Sequence, residues 1–216
     1  MTVEQAYEIQ PTSERWRFRT SSTLGCSSAS SRSVTSLRTF HRIMRLTNRL
    51  AFQTYGIPTF SNLLVKTGQL SKPENASKRT ADTAAVLSET KSQPGGERSI
   101  QGFARMNYMH GLYRKAGRIK DDDMLYTLSL LVTEPVKWLE RFDWRTLTDA
   151  EMCALGVYWK DTGDATDISF EKLRPYTKGK PADGLSWTQA IMEWSEDYER
   201  ETMVPAQSNK ELGPAD

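Results

Sequence analysis

Histidine and cysteine are the scarcest reactive residues of this chain, two of each in 216 residues. His41, His110, Cys26 and Cys153 stand far apart, without the short ligand spacing of a structural zinc site, so zinc is excluded. Two isolated cysteines read as free thiols of a reducing compartment. A glycine-rich phosphate loop and a nucleophile elbow are both absent. No apolar run approaches the roughly 18 residues of a membrane-spanning helix; the longest, Leu128 to Val132, reads as part of a core helix. A charged-then-apolar secretory leader is also missing. Neither strand-like alternation nor an internal repeat occurs, which makes the expected fold class all-α. The net charge of +2 is too small to mark a nucleic-acid partner. It is unevenly spread: residues 1–50 hold eight arginines against Glu4, Glu8 and Glu14, an excess of +5 that leaves −3 for the rest.

What is present describes a globular chain. Apolar residues reach 38%, and six tryptophans with eight tyrosines argue against wholesale disorder. Residues 1–37 read as a disordered Ser/Arg-rich arm, low in complexity through TSSTLGCSSASSRSVTS. Its composition faintly resembles a transit peptide, which the three early glutamates oppose. Residues 38–216 read as a single helical domain. Phe40, Ile43, Met44, Thr47, Leu50 and Ala51 share one helical face, and Arg38, Arg42, Arg45 and Arg49 the other. That segment is either a core-packed helix with a solvated basic face or a peripheral contact with anionic lipid through residues 38–50.

Tyr55-Gly56-Ile57-Pro58 breaks this helix, and a short one follows, capped by Gly68. Residues 71–77 read as a loop, and a helix over about 76–89 ends at Pro94-Gly95-Gly96. The next helix, 97–116, turns Ile100, Phe103, Ala104, Asn107, Tyr108 and Leu112 inward, and Gly117 caps it. Asp121, Asp122 and Asp123 open another, meeting the positive end of its dipole. Pro135 is expected to kink or end that helix, at a cost of about 3 kcal/mol. Thr148 and Glu151 form a capping box for a helix through about Asp161. A last helix runs from Trp187 to about Thr202, with Ile191, Trp194 and Tyr198 at helical spacing.

Two groups carry chemistry. His110 lies mid-helix in FARMNYMHGLYRKAGR, near Met106, Tyr108 and Met109. A lone histidine there is usually structural, yet an imidazole in an apolar shell is also how proteins hold haem iron. Arg79 and Thr83 stand four residues apart, adjacent on one helical face, where a guanidinium and a hydroxyl offer fixed donors to a polar ligand group. The bland alternative is a surface pair of Arg79 with Asp82.

The strings TYGIPTFSNLLVKTGQL, SKRTADT, ARMNYMHGLYRKAGRIKDDDMLYTLSLLVTEPVKWLERFDWRTLTDAE, CALGVYWKDTGDATDISFE, EWSEDYE and MVPAQSN resemble the family of the mycophenolic-acid-pathway oxygenase and the latex-clearing rubber oxygenases. The resemblance runs from about Thr54 to Asn209. It implies an all-helical fold holding haem b. It also implies an axial histidine at His110 and, about thirty residues before it, the Arg-x-x-x-Thr pair at Arg79 and Thr83. The family domain continues past MVPAQSN, so residues 38–216 are expected to be C-terminally incomplete, and the N-terminal arm replaces a membrane-associated segment. The implied activity is haem-dependent cleavage of a C=C bond in an isoprenoid-like or secondary-metabolite substrate. Its partners are O2 and an apolar small molecule, and its location cytoplasmic or at the endoplasmic reticulum membrane. The rival readings are a non-catalytic helical remnant of that family and a peripheral membrane-binding module.

Overall fold

The computed structural model describes residues 51–68, 71–90, 96–142, 145–174 and 183–212. The arm 1–37, nearly all of the basic segment and His41 lie outside them. Among the described residues the protein is all-α, without a strand. A 3-10 turn, Ala51–Gly56, precedes α1 (Pro58–Thr67), α2 (Pro73–Thr90), α3 (Glu97–Lys115), α4 (Asp121–Phe142), α5 (Asp149–Ala165), α6 (Gly184–Thr202) and the short α7 (Gln207–Leu212).

Local signals account for most boundaries. Gly68 ends α1 in the left-handed region (φ 63°) that a side chain would oppose, its N–H returning to the Leu64 and Val65 carbonyls. At the end of α3, Gly117 (φ 65°) lets Arg118 N–H reach the Tyr113 carbonyl at 2.9 Å. Thr148 and Glu151 cap each other at the start of α5. Asp183 and Ser186 do the same for α6, an Asp-x-x-Ser pair that the Ser/Thr-x-x-Glu pattern does not catch.

Several expectations are corrected. α2 begins at Pro73, inside the predicted loop, and α5 continues past Asp161 to Ala165. Pro135 does not end α4, which runs on to Phe142. Val132, Val136 and Leu139 around it are buried, and burying each such side chain contributes about 1.5–3 kcal/mol, enough together to outweigh the proline. Cys153, in the core, is disulfide-bonded, so it is not the free thiol expected.

The main core joins α4, α5 and α6 through Leu125, Leu128, Val132, Trp159, Trp187 and Ile191. α5 and α6 approach closely because glycine stands on both sides. A Cβ on Gly156 would meet the Gly184 carbonyl oxygen at 2.1 Å and Thr188 Oγ1 at 2.2 Å. A second cluster, Ile57, Tyr126 and Leu130, packs beneath Trp194 and Tyr198. There Asp123 Oδ1 accepts from Thr59 Oγ1 and from the Tyr198 hydroxyl, both at 2.8 Å, tying α1, α4 and α6 together. The third aspartate of the acidic run is thus a buried cross-link as well as a dipole partner. α7 closes this end on α1, where the Ser61 and Ser208 hydroxyls share a hydrogen bond of 2.7 Å.

The α2–α3 hairpin stands apart from that core and packs chiefly on itself. Its closed end is tight: Ser99 Oγ donates to the Thr90 carbonyl at 3.1 Å, and Gly102 faces the Thr90 backbone and the Glu89 Cβ. Glu89 and Arg98 add a two-pronged ion pair at 2.6 and 2.7 Å.

Candidate functional site

The hairpin's register brings the sequence-predicted residues together. Arg79 precedes Thr90 by eleven residues, and His110 follows Ser99 by eleven. At 1.5 Å per residue, both stand about 16 Å from the Thr90–Ser99 contact along antiparallel helices. They are therefore level, close enough that the Arg79 charge acts on the imidazole.

Within α2, Arg79 Nη1 donates to Thr83 Oγ1 at 2.7 Å, and Thr83 Oγ1 donates to the Arg79 carbonyl at 2.8 Å. Asp82 takes no part, so the surface-pair alternative is not what forms. The geometry divides the roles. The Thr83 proton is committed to the backbone, so Thr83 holds the guanidinium while the remaining Arg79 N–H groups point elsewhere.

His110 is half-buried in α3, and its Nδ1 is fully buried without a hydrogen-bond partner. Burial first, then the positive charges of Arg79 and Arg114, holds the imidazole below its ordinary pKa, so it is neutral at physiological pH. A buried ring nitrogen with nothing to bond typically costs about 1–3 kcal/mol, and such an atom in a native fold asks for an explanation. The helix face differs from expectation: Phe103 is buried, but Tyr108 is 38% and Leu112 52% exposed, so the stripe predicted to point inward does so only in its first half.

Two further residues beside His110 were not singled out for chemistry. Asn107 Nδ2 donates to the Ala165 carbonyl at 2.9 Å. Arg114 Nη1 donates to the Asp167 carbonyl at 3.1 Å and Nη2 to Asp121 Oδ1 at 2.7 Å. Their positions at −3 and +4 from His110 were the available signal; two of the three acceptors are backbone carbonyls, which no side-chain pattern marks. No group of three or more metal-ligating side chains occurs among the described residues.

Fold and site together define an all-helical protein with a neutral histidine facing an Arg-x-x-x-Thr pair across a helical hairpin. The chain is 48% identical over 161 residues to the ER-bound oxygenase mpaB of Penicillium brevicompactum, a match covering 74% of this chain and 41% of that protein. It is equally similar to the ER-bound oxygenase mpaB' of that fungus, covering 38% of it, and 45% identical to the mpaB of Penicillium roqueforti (strain FM164), covering 54%. The chain belongs to the family of these ER-bound oxygenases, and it spans between 38% and 54% of their length. No family model and no solved structure matches it. No described helix is long and apolar enough to cross a membrane.

Proposed function

We propose that the protein is a haem b-dependent oxygenase of the mpaB and rubber-oxygenase type, with His110 as the ligand of the iron. The observation that carries this reading is the His110 imidazole: neutral, half-buried, its Nδ1 without a partner, and level with a guanidinium already fixed by Thr83. These residues fit the group. A neutral imidazole is the form that ligates iron, and an oriented arginine suits a carboxylate or another anionic group beside it. When bound, haem supplies the O2 chemistry, whose overall result is a C=C bond plus O2 giving two carbonyl groups.

The chain's own residues do the rest. His110 fixes the iron and, held neutral, presents a lone pair instead of a proton. Arg79 offers N–H donors to negative charge that develops in the site, and Thr83 keeps them aimed. The half-buried Met106 and Met109 flank His110 with apolar, adaptable surface suited to an isoprenoid-like or secondary-metabolite chain. Location at the endoplasmic reticulum, and a peripheral membrane contact through residues 38–50, belong to the same proposal.

The test is reconstitution of the full chain with haem, followed by turnover of a polyprenyl substrate under O2. A Soret band with one haem per chain is expected, lost in His110→Ala. In Thr83→Val the band stays while turnover falls about tenfold, the effect of one misdirected hydrogen bond. An unchanged Soret band in His110→Ala overturns the assignment. A second reading, a helical scaffold that binds no haem, draws on the exposure of Tyr108 and Leu112 beside His110. It predicts no Soret band in the unsubstituted protein.

A further inference from the structure

We propose that Asn107 and Arg114 are positioning residues that clamp the His110 turn of α3 onto the C-terminal hook of α5, and so set where the imidazole stands. The proposal extends the haem-oxygenase reading and rests on it for its functional meaning, though the clamp itself is a property of the fold.

The two donors flank His110, three residues before and four after, and both reach backbone carbonyls just two positions apart, Ala165 and Asp167. Those acceptors belong to a rigid segment. α5 ends at Ala165; Thr166 Oγ1 bonds back to the Thr162 carbonyl at 2.9 Å, and Ile168 N–H to the Gly163 carbonyl at 3.0 Å. Asp167 takes the left-handed conformation (φ 57°) that reverses the chain, and aspartate is among the few residues that tolerate it. Directly after the reversal, Ile168 and Phe170 are buried in the main core, and a Cβ on Gly163 would meet Phe170 at 2.5 Å and Leu128 at 2.7 Å. The hook therefore moves only with the core.

The hairpin has little else to hold it there. Among the described residues it packs mainly on itself, and Tyr108 and Leu112 are only partly covered. Apolar contact alone fixes a helix loosely along its axis, whereas two directional bonds to carbonyls of known place fix both its height and its rotation. Arg114 is itself steered by Asp121 at the start of α4, and its side chain is only 25% exposed. Helix starts and ends from three elements thus converge within one turn of His110.

The experiment is hydrogen–deuterium exchange on the full chain for Asn107→Ala, Arg114→Ala, the double variant and Arg114→Lys, with a ferric EPR spectrum of each after haem loading. Asn107→Ala is expected to exchange roughly tenfold faster over residues 103–115, the effect of one lost hydrogen bond, and Arg114→Ala, which loses two, at least as much, with α4, α5 and α6 unchanged. Arg114→Lys recovers part of the protection, since an ammonium can reach one of the acceptors. In the double variant haem still binds one to one, but the EPR signal broadens because the ligand ring no longer holds one orientation. Unaltered exchange over 103–115 in the double variant overturns the clamp. So does equal acceleration in α4–α6, which would make the two residues general stability elements. Faster exchange with an unchanged EPR signal removes the positioning role. If the unsubstituted chain takes up no haem, the oxygenase reading and the positioning role built on it both fall, while exchange still decides the clamp.

Discussion

Two carboxylates in α5 show how neighbours at the same helix set opposite pH responses. Arg145 is first among the causes that pull Glu151 down to about 2, with hydrogen bonds from Thr148 adding to it against partial burial. Its contribution to stability is present above the unfolded carboxylate pKa near 4.5 and is lost as pH falls towards 2. Asp161 is the reverse: burial first, helped by Asp164 and opposed by Lys160, pushes it up to about 6. The folded state then holds its proton more tightly than the unfolded chain does. The group is neutral in its effect below about pH 4, and it destabilises increasingly as pH rises through 6. Thermal unfolding across pH checks both. Glu151→Gln lowers the midpoint at pH 7, and the deficit closes towards pH 2. Asp161→Asn raises it at pH 8 by an amount corresponding to about 1–2 kcal/mol, allowing for solvent screening, and converges with the parent below pH 4. Equal midpoints at pH 8 would mean that Asp161 is not desolvated.

Two glycines separate packing from propensity at the level of helices. Gly156 sits where α5 crosses α6, and a methyl group there meets backbone and the Thr188 hydroxyl, neither of which can retreat. Gly156→Ala is expected to cost about 3 kcal/mol or more. Gly111, next to His110 in α3, has open space at its Cβ. Gly111→Ala should stabilise by about 1 kcal/mol through helix propensity, raising the midpoint by roughly 2–4 °C. Calorimetry on the pair reads both signs; stabilisation by Gly156→Ala would contradict the close crossing. The elements themselves were largely legible in the sequence, because caps and breakers act locally: Gly68, Gly117 and the Thr148–Glu151 box stand where expected. Pro135 does not end α4 because tertiary burial along that helix overrides a local cost, and α7 went unpredicted because six residues carry no period.

For the molecule as a whole, the site was legible in part. Arg79 and Thr83 pair as their i, i+4 spacing requires, and the hairpin length places Arg79 level with His110. The Asn107 and Arg114 bonds could not be read, since their acceptors are carbonyls that become available only once α5 ends in the Asp167 hook. Nor could the exposure of Tyr108 and Leu112, which depends on what the other helices leave uncovered. The central claim, that His110 ligates iron, gains from the scarcity noted at the outset: with two histidines in the chain, His41→Gln leaves one. Electron–nuclear double resonance on that variant, grown with 15N-histidine and loaded with ferric haem, reports directly on the iron's ligand. The account predicts a strongly coupled 15N signal from the single labelled imidazole; its absence, with haem bound, would contradict the account.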